Sequence, residues 1–265
     1  MAQQVIASPD KQSTVVIDRG ELVSYTKNGE ELIHQKGDPG WRNADTEMFP
    51  IIGPTASNNF IVDTERGEAV QDQHGLLREL SYDVISETDQ FIAYRKTYNK
   101  NTRVTNSKYP DKSIKEKLFW PYDFSFTKKM KVTDEALYID FEIQGEPTMP
   151  FMLGYHPAFK LSGTNKESLI VNNKTIKLQE VLDVGSIAYP VLDNSEISLV
   201  KEVGYNIRIF TEGFNNFMLW TEVDNMLCIE PITAYPYTGE KALVKDLFKT
   251  CTKEDIFKVV IIPYK

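Results

Sequence analysis

The sequence predicts an all-β architecture, an antiparallel sandwich or barrel, on three observations. Apolar and polar residues alternate with strand period through many short segments. Gly, Asn, Asp and Pro fall between most of those segments. Helical periodicity is scarce, which argues against a βαβ sheet.

Residues 14–17 and 22–25 open the strand pattern. Lys27-Asn28-Gly29-Glu30 follows, and Asn-Gly between alternating runs signals a hairpin because both residues tolerate positive φ. Residues 31–34 form the return strand. Further strands are expected at 82–86, 91–97, 124–132, 137–143, 151–154 and 168–171, and then at 196–199, 207–210, 217–221, 226–229 and 257–262. Residues 241–248 carry a pattern for two helical turns. No linker, repeat or low-complexity tract divides the 265 residues, so a single domain over 1–265 is expected.

Composition narrows the partners. Hydrophobic residues make up 41% of the chain, enough for a large core. The net charge of -8, with Lys and Arg scattered, repels phosphate backbones, so nucleic acid is not an expected partner. No apolar run approaches the length of a membrane span, and residues 1–12 lack the apolar stretch and basic leader of a secretory signal, so the expected location is cytoplasmic, away from membranes. Cys228 and Cys251 stand apart from any CxxC or Cys/His spacing, so free thiols and no metal centre are expected. Nothing in the pattern sets an oligomeric state.

Three segments depart from ordinary strand-and-turn sequence: Gln73-His74-Gly75-Leu76-Leu77-Arg78-Glu79, Met149 to Phe159 around Gly154-Tyr155-His156-Pro157, and Leu227-Cys228-Ile229-Glu230-Pro231. Each interrupts an apolar run with an ionisable residue beside Gly or Pro, which is how a fold presents a polar group at a strand end. His74 and His156 are two of only three histidines. With Glu230 they form an acid/base set, since imidazole exchanges protons near neutral pH and burial raises a carboxyl toward that range. The structural readings stand beside this one. His34 belongs to a predicted hairpin; Glu230 before a proline also fits an exposed strand end; Arg78 also fits a surface pair with Glu79. Trp120, Tyr122, Phe159 and Trp220 read first as core residues and second as sugar-stacking rings.

Taken in order, these segments resemble the aldose 1-epimerase (galactose mutarotase-like) superfamily, and in particular its branch often called LacX-like. The resemblance rests on Gly20-Glu21-Leu22, Trp41-Arg42, Met48-Phe49-Pro50, Gln73-His74-Gly75 with Arg78, Trp120-Pro121-Tyr122, Gly154-Tyr155-His156-Pro157-Ala158-Phe159, Leu219-Trp220-Thr221 and Ile229-Glu230-Pro231. It implies a large twisted antiparallel β-sandwich, the supersandwich, with a sugar site in a cleft. It also implies roles: His156 as general acid, Glu230 as general base, His74 as a second histidine near the sugar ring oxygen, and Arg78 and Arg42 as substrate-binding arginines. The implied reaction is interconversion of the α and β anomers of a hexose, with a free sugar as partner and no metal, nucleotide or redox cofactor. Two departures bear on the pocket wall. The acid that binds sugar hydroxyls has only Asp193 and Asp183 as candidates, and Ile232-Thr233-Ala234-Tyr235-Pro236-Tyr237 follows Glu230-Pro231 where the family often has an aromatic and a glycine. The competing functions are 1-epimerisation of a hexose 6-phosphate, for which no basic cluster beyond Arg42 and Arg78 is visible in the linear sequence, and non-catalytic carbohydrate binding.

Overall fold

The computed structural model of the protein describes residues 3–40, 45–239 and 242–265. Two large antiparallel sheets dominate it. The first has nine strands in the order Lys174–Lys177, Ser168–Val171, Glu196–Val200, Asn206–Glu212, Glu254–Tyr264, Leu137–Gly145, Phe124–Val132, Phe91–Tyr98 and Asp83–Glu87. The second has Tyr189–Val191, Asn216–Trp220, Met226–Ile232, Gly154–Tyr155 and Glu47–Met48 in that order, with Ala158–Lys160 also paired to Met226–Ile232. An N-terminal sheet of four strands over Gln4–Ala7, Ser13–Asp18, Glu21–Lys27 and Glu30–Glu31 completes the sandwich. Asn28 and Gly29 both take positive φ, the conformation the hairpin signal requires.

Strand periodicity decides which side chains meet. In Phe124–Val132 the even-numbered residues Phe124, Phe126, Lys128, Met130 and Val132 point inward and are buried. Leu137–Gly145 answers with Leu137, Ile139, Phe141 and Ile143. Across the sandwich, Phe141 meets Tyr155 at 5.1 Å between ring centroids, and Phe151 meets Phe257 at 6.0 Å. Trp120, Tyr122 and Phe159 belong to this core.

Two sequence expectations change, and one element was not expected. Residues 151–154 do not form one strand: Pro150–Phe151 pairs with Lys249–Thr250, and Gly154–Tyr155 joins the six-stranded sheet. The chain changes partners at Met152 and Leu153, which an apolar run alone does not signal. The helical pattern at 241–248 yields only a 3-10 turn at Lys245–Leu247, and Lys241 lies outside the described residues. The α-helix among the described residues is instead Leu178–Val184, where Leu178 and Val181 bury one face and the Glu180 carboxylate accepts from the Lys177 N–H at 2.9 Å.

Candidate active site

The six-stranded sheet turns one face to the sandwich core and the other away from it. Tyr155, Phe159, Leu219, Leu227 and Ile229 belong to the core side. The alternate residues His156, Ala158, Trp220, Cys228 and Glu230 share the opposite face.

Register brings His156 and Glu230 together. Gly154 pairs with Ile232, and Ala158 pairs with Cys228 on the same strand. Antiparallel continuation between those two pairs sets His156 directly opposite Glu230. His156 and Pro157 form the break between the two short strands; proline has no N–H to extend the ladder. The His156 N–H donates to the Thr46 carbonyl at 2.9 Å, fixing the backbone at that break. His156 Nε2 then lies 3.3 Å from Glu230 Oε1.

Both groups are buried, at 8% and 2% exposure. Burial pushes the Glu230 carboxyl well above the carboxylate range. Burial drives the His156 imidazole down to about 4, with a further push from Arg78. Glu230 is therefore not the exposed strand end that its proline neighbour also allowed.

His74 arrives from a separate loop. Its ring lies edge-on to His156 with centroids 5.6 Å apart. Gly75 makes the loop possible: its φ is +70°, and a Cβ there would stand 2.1 Å from the Phe49 carbonyl oxygen. Asp72 accepts the His74 N–H at 2.8 Å, and Arg78 Nη1 donates to His74 Nδ1 at 2.9 Å. Arginine only donates, so Nδ1 accepts and the neutral ring carries its proton on Nε2. Burial, and then the Arg78 charge, hold His74 well below its ordinary value. Arg78 is largely buried and ion-paired with Asp72 and Glu79, a denser setting than a surface pair.

The structure also places residues that sequence reasoning did not single out. Asp72 anchors both His74 and Arg78. Trp220, which the sequence offered first as a core residue and second as a sugar-stacking ring, stands edge-on to His156 at 6.2 Å, on the site face and partly exposed. Lys108 lies within electrostatic reach of Arg78, Asp72 and His74, with Lys112 beside it. Lys108 thus adds a second cation near Arg78, whose own charge is paired with Asp72 and Glu79. Cys228 Sγ falls within 4.8 Å of ligand-type atoms of both His156 and Glu230. On the core side, beside the Tyr155 ring, Lys128 Nζ bridges Asp45 and Glu47 at 2.7 Å each. The inward period of Phe124–Val132 was the signal for Lys128, since alternation puts a lysine among Phe126, Met130 and Val132.

Other candidates lie elsewhere. Asp183 is exposed at the end of the helix and accepts from Gln179, and Asp193 is exposed in a left-handed turn. His34 is buried with Nε2 against the Pro39 carbonyl at 3.0 Å, a structural contact. Arg42 lies outside the described residues. A groove of 690 Å³ beside Tyr98, Phe124 and Gly145 contains none of the acid/base residues. Both cysteines are free and buried. No helix among the described residues is long and apolar enough to cross a membrane.

The family model for aldose 1-epimerase matches residues 6–236, and the chain belongs to that family. Comparison with curated proteins found no significant match. Among solved structures, a galactose mutarotase related enzyme from Lactobacillus acidophilus superposes with a TM-score of 0.81 at 17% identity, covering 100% of this chain and 98% of that one. A galactose mutarotase-like protein from Lactobacillus casei gives 0.81 at 16% identity over 99% and 100% of the two chains. Galactose 1-epimerase from Lactobacillus acidophilus gives 0.66 at 11% identity over 97% and 92%. These likenesses establish the galactose mutarotase-like sandwich, and the family membership supports a carbohydrate epimerase acting on a sugar.

Proposed function

We propose that this chain is an aldose 1-epimerase that interconverts the α and β anomers of a hexose. The supporting observation is the cross-strand contact of His156 Nε2 with Glu230 Oε1 at 3.3 Å, with the His74 ring beside it. Opening a hemiacetal needs a base for the C1 hydroxyl proton and an acid for the ring oxygen, because an alkoxide is a poor leaving group at neutral pH.

Burial leaves the proton of the resting pair on Glu230, with His156 neutral. Moving that proton across the 3.3 Å contact gives a carboxylate and an imidazolium. A sugar seated with its C1–O5 bond between them separates the two charges and hydrogen-bonds to both. Glu230 takes the C1 hydroxyl proton while His156 protonates the ring oxygen, and the C1–O5 bond breaks. Rotation about C1–C2 in the open aldehyde presents the other face, and the two transfers reverse on closure. His74 Nε2–H is oriented to donate to the ring-oxygen side, held there by Arg78. Arg78 and Arg42 are the proposed sugar-binding cations, and Trp220 offers an apolar face to the ring.

A second reading is favoured by Lys108 near Arg78: a hexose carrying a 6-phosphate. The test is polarimetry of freshly dissolved α-glucose and α-galactose with wild type and Glu230→Gln, alongside exchange NMR on glucose 6-phosphate. Faster approach to the anomeric equilibrium of a free hexose, lost in the variant, supports the first reading. Turnover of the 6-phosphate alone, weakened by Lys108→Ala, supports the second. No acceleration of any of these sugars sinks both.

A further inference from the structure

His156, Cys228 and Glu230 are a ready-made set of soft and borderline metal ligands. Cys228 and Glu230 are two residues apart on one strand, so their side chains leave the same face. His156 faces Glu230 across the register, which puts Cys228 on its diagonal. One ligand atom from each lies within 4.8 Å of the others, and all three residues are buried. The His156–Glu230 separation of 3.3 Å is already close to the ligand–ligand edge of a tetrahedral zinc site, about 3.4 Å for bonds of about 2.0–2.2 Å.

We infer that this trio binds a zinc-like divalent ion in place of the sugar, making the protein's activity subject to inhibition by soft divalent metals. Charge selects the ion. A thiolate, a carboxylate and a neutral imidazole bring two negative charges, so a dication forms a neutral complex in a buried setting where an unbalanced charge is costly. Ligand type selects it again: thiolate and imidazole suit zinc, cadmium and cobalt, whereas magnesium and calcium require several oxygen ligands. Binding releases the Cys228 thiol proton and the Glu230 carboxyl proton to solvent, with no change of oxidation state. His74 is not the fourth ligand, because its Nδ1 accepts from Arg78 and its Nε2 therefore holds a proton. The fourth position falls to water. The ion occupies the two groups that must reach C1 and O5, so metal and sugar exclude each other.

The inhibition readout rests on the proposed epimerase activity; the binding readout does not. Full-length protein is titrated with cobalt(II) and followed for a thiolate-to-metal charge-transfer band. The expected result is one cobalt per chain with such a band, lost in Cys228→Ser and kept in Cys251→Ser. If Cys228→Ser does not fold, a band retained in Cys251→Ser still assigns it to the one remaining thiol. In the activity assay, zinc inhibits wild type, saturating sugar or EDTA relieves the inhibition, and Cys228→Ser, measured against its own zinc-free turnover, needs at least about tenfold more zinc for half inhibition. A wild-type protein without the charge-transfer band overturns the proposal whatever the activity shows. So does a band abolished by Cys251→Ser. Inactivity toward every sugar with the band intact leaves the metal site standing and removes the epimerase reading instead.

Discussion

Glu230 occupies a strand whose seven residues are all buried. Asp45 and Glu47 are comparably buried, but both are ion-paired to Lys128. Among the described residues Glu230 has only His156 as its ion-pair partner, and burial raises its proton affinity. A buried carboxyl facing an imidazole costs stability, and such groups gather where protons are moved. His156→Asn and Glu230→Gln are therefore each expected to lower kcat by roughly two to four orders of magnitude. Glu230→Gln keeps or raises the melting temperature, because it removes an ionisable group from an apolar site. Polarimetry and thermal melts on the same preparations separate the two effects. A variant with near wild-type turnover would remove that residue from the mechanism.

At the scale of elements, the site depends on two local devices. One is the break at His156-Pro157, which lets a single chain segment pair twice with Met226–Ile232 and turn its histidine toward Glu230. The other is the loop Gln73-His74-Gly75, pinned by backbone bonds from the Phe49 N–H to the His74 carbonyl and from the Leu77 N–H to the Phe49 carbonyl. Gly75→Ala adds a Cβ against the Phe49 oxygen in a left-handed conformation. It is expected to destabilise the protein by about 1–3 kcal/mol. Displacement of His74 should also lower kcat/KM beyond what the stability loss explains. Denaturant titration with steady-state kinetics tests this; unchanged kinetics in folded Gly75→Ala would remove His74 from the sugar site.

At the scale of the whole molecule, Lys128 ties the nine-stranded sheet to the strand Glu47–Met48 and the residues before it. Burial opposes its charge, yet Asp45 and Glu47 outweigh that cost and hold the ammonium above its ordinary range. Lys128→Met leaves two carboxylates facing each other in the core, an expected loss of about 3–5 kcal/mol. Asp45→Asn with Glu47→Gln in the same chain should recover much of it, as paired denaturation curves would show. Glu21 borders this cluster. Burial, and then Asp45 and Glu47, raise its carboxyl to about 7. Between the ordinary carboxylate range and about 7 the folded protein keeps a proton that the unfolded chain has released. Stability contributed by this group therefore falls as pH rises through that window, by on the order of 3 kcal/mol at about 1.4 kcal/mol per pKa unit. Denaturation at pH 5 and 8 should show a smaller difference in Glu21→Gln than in wild type; equal differences would count against the shift.

The sequence by itself determined the all-β class and most strand positions, and it singled out His74, His156 and Glu230 as candidate site residues. Period-two alternation and turn residues are local properties, and ionisable groups beside Gly or Pro mark strand ends. It did not determine which strands pair. That pairing alone makes His156 the cross-strand neighbour of Glu230 and brings Cys228 within reach of both. The split of residues 151–154 between two sheets was hidden because the apolar run is continuous across the change of partner. Lys108 was hidden because Arg78 and Lys108 meet only after the chain between them has folded back. Proton affinity was also out of reach: a carboxyl moves far from its ordinary range only when the surrounding fold removes its water, and that removal is a property of the packed tertiary structure.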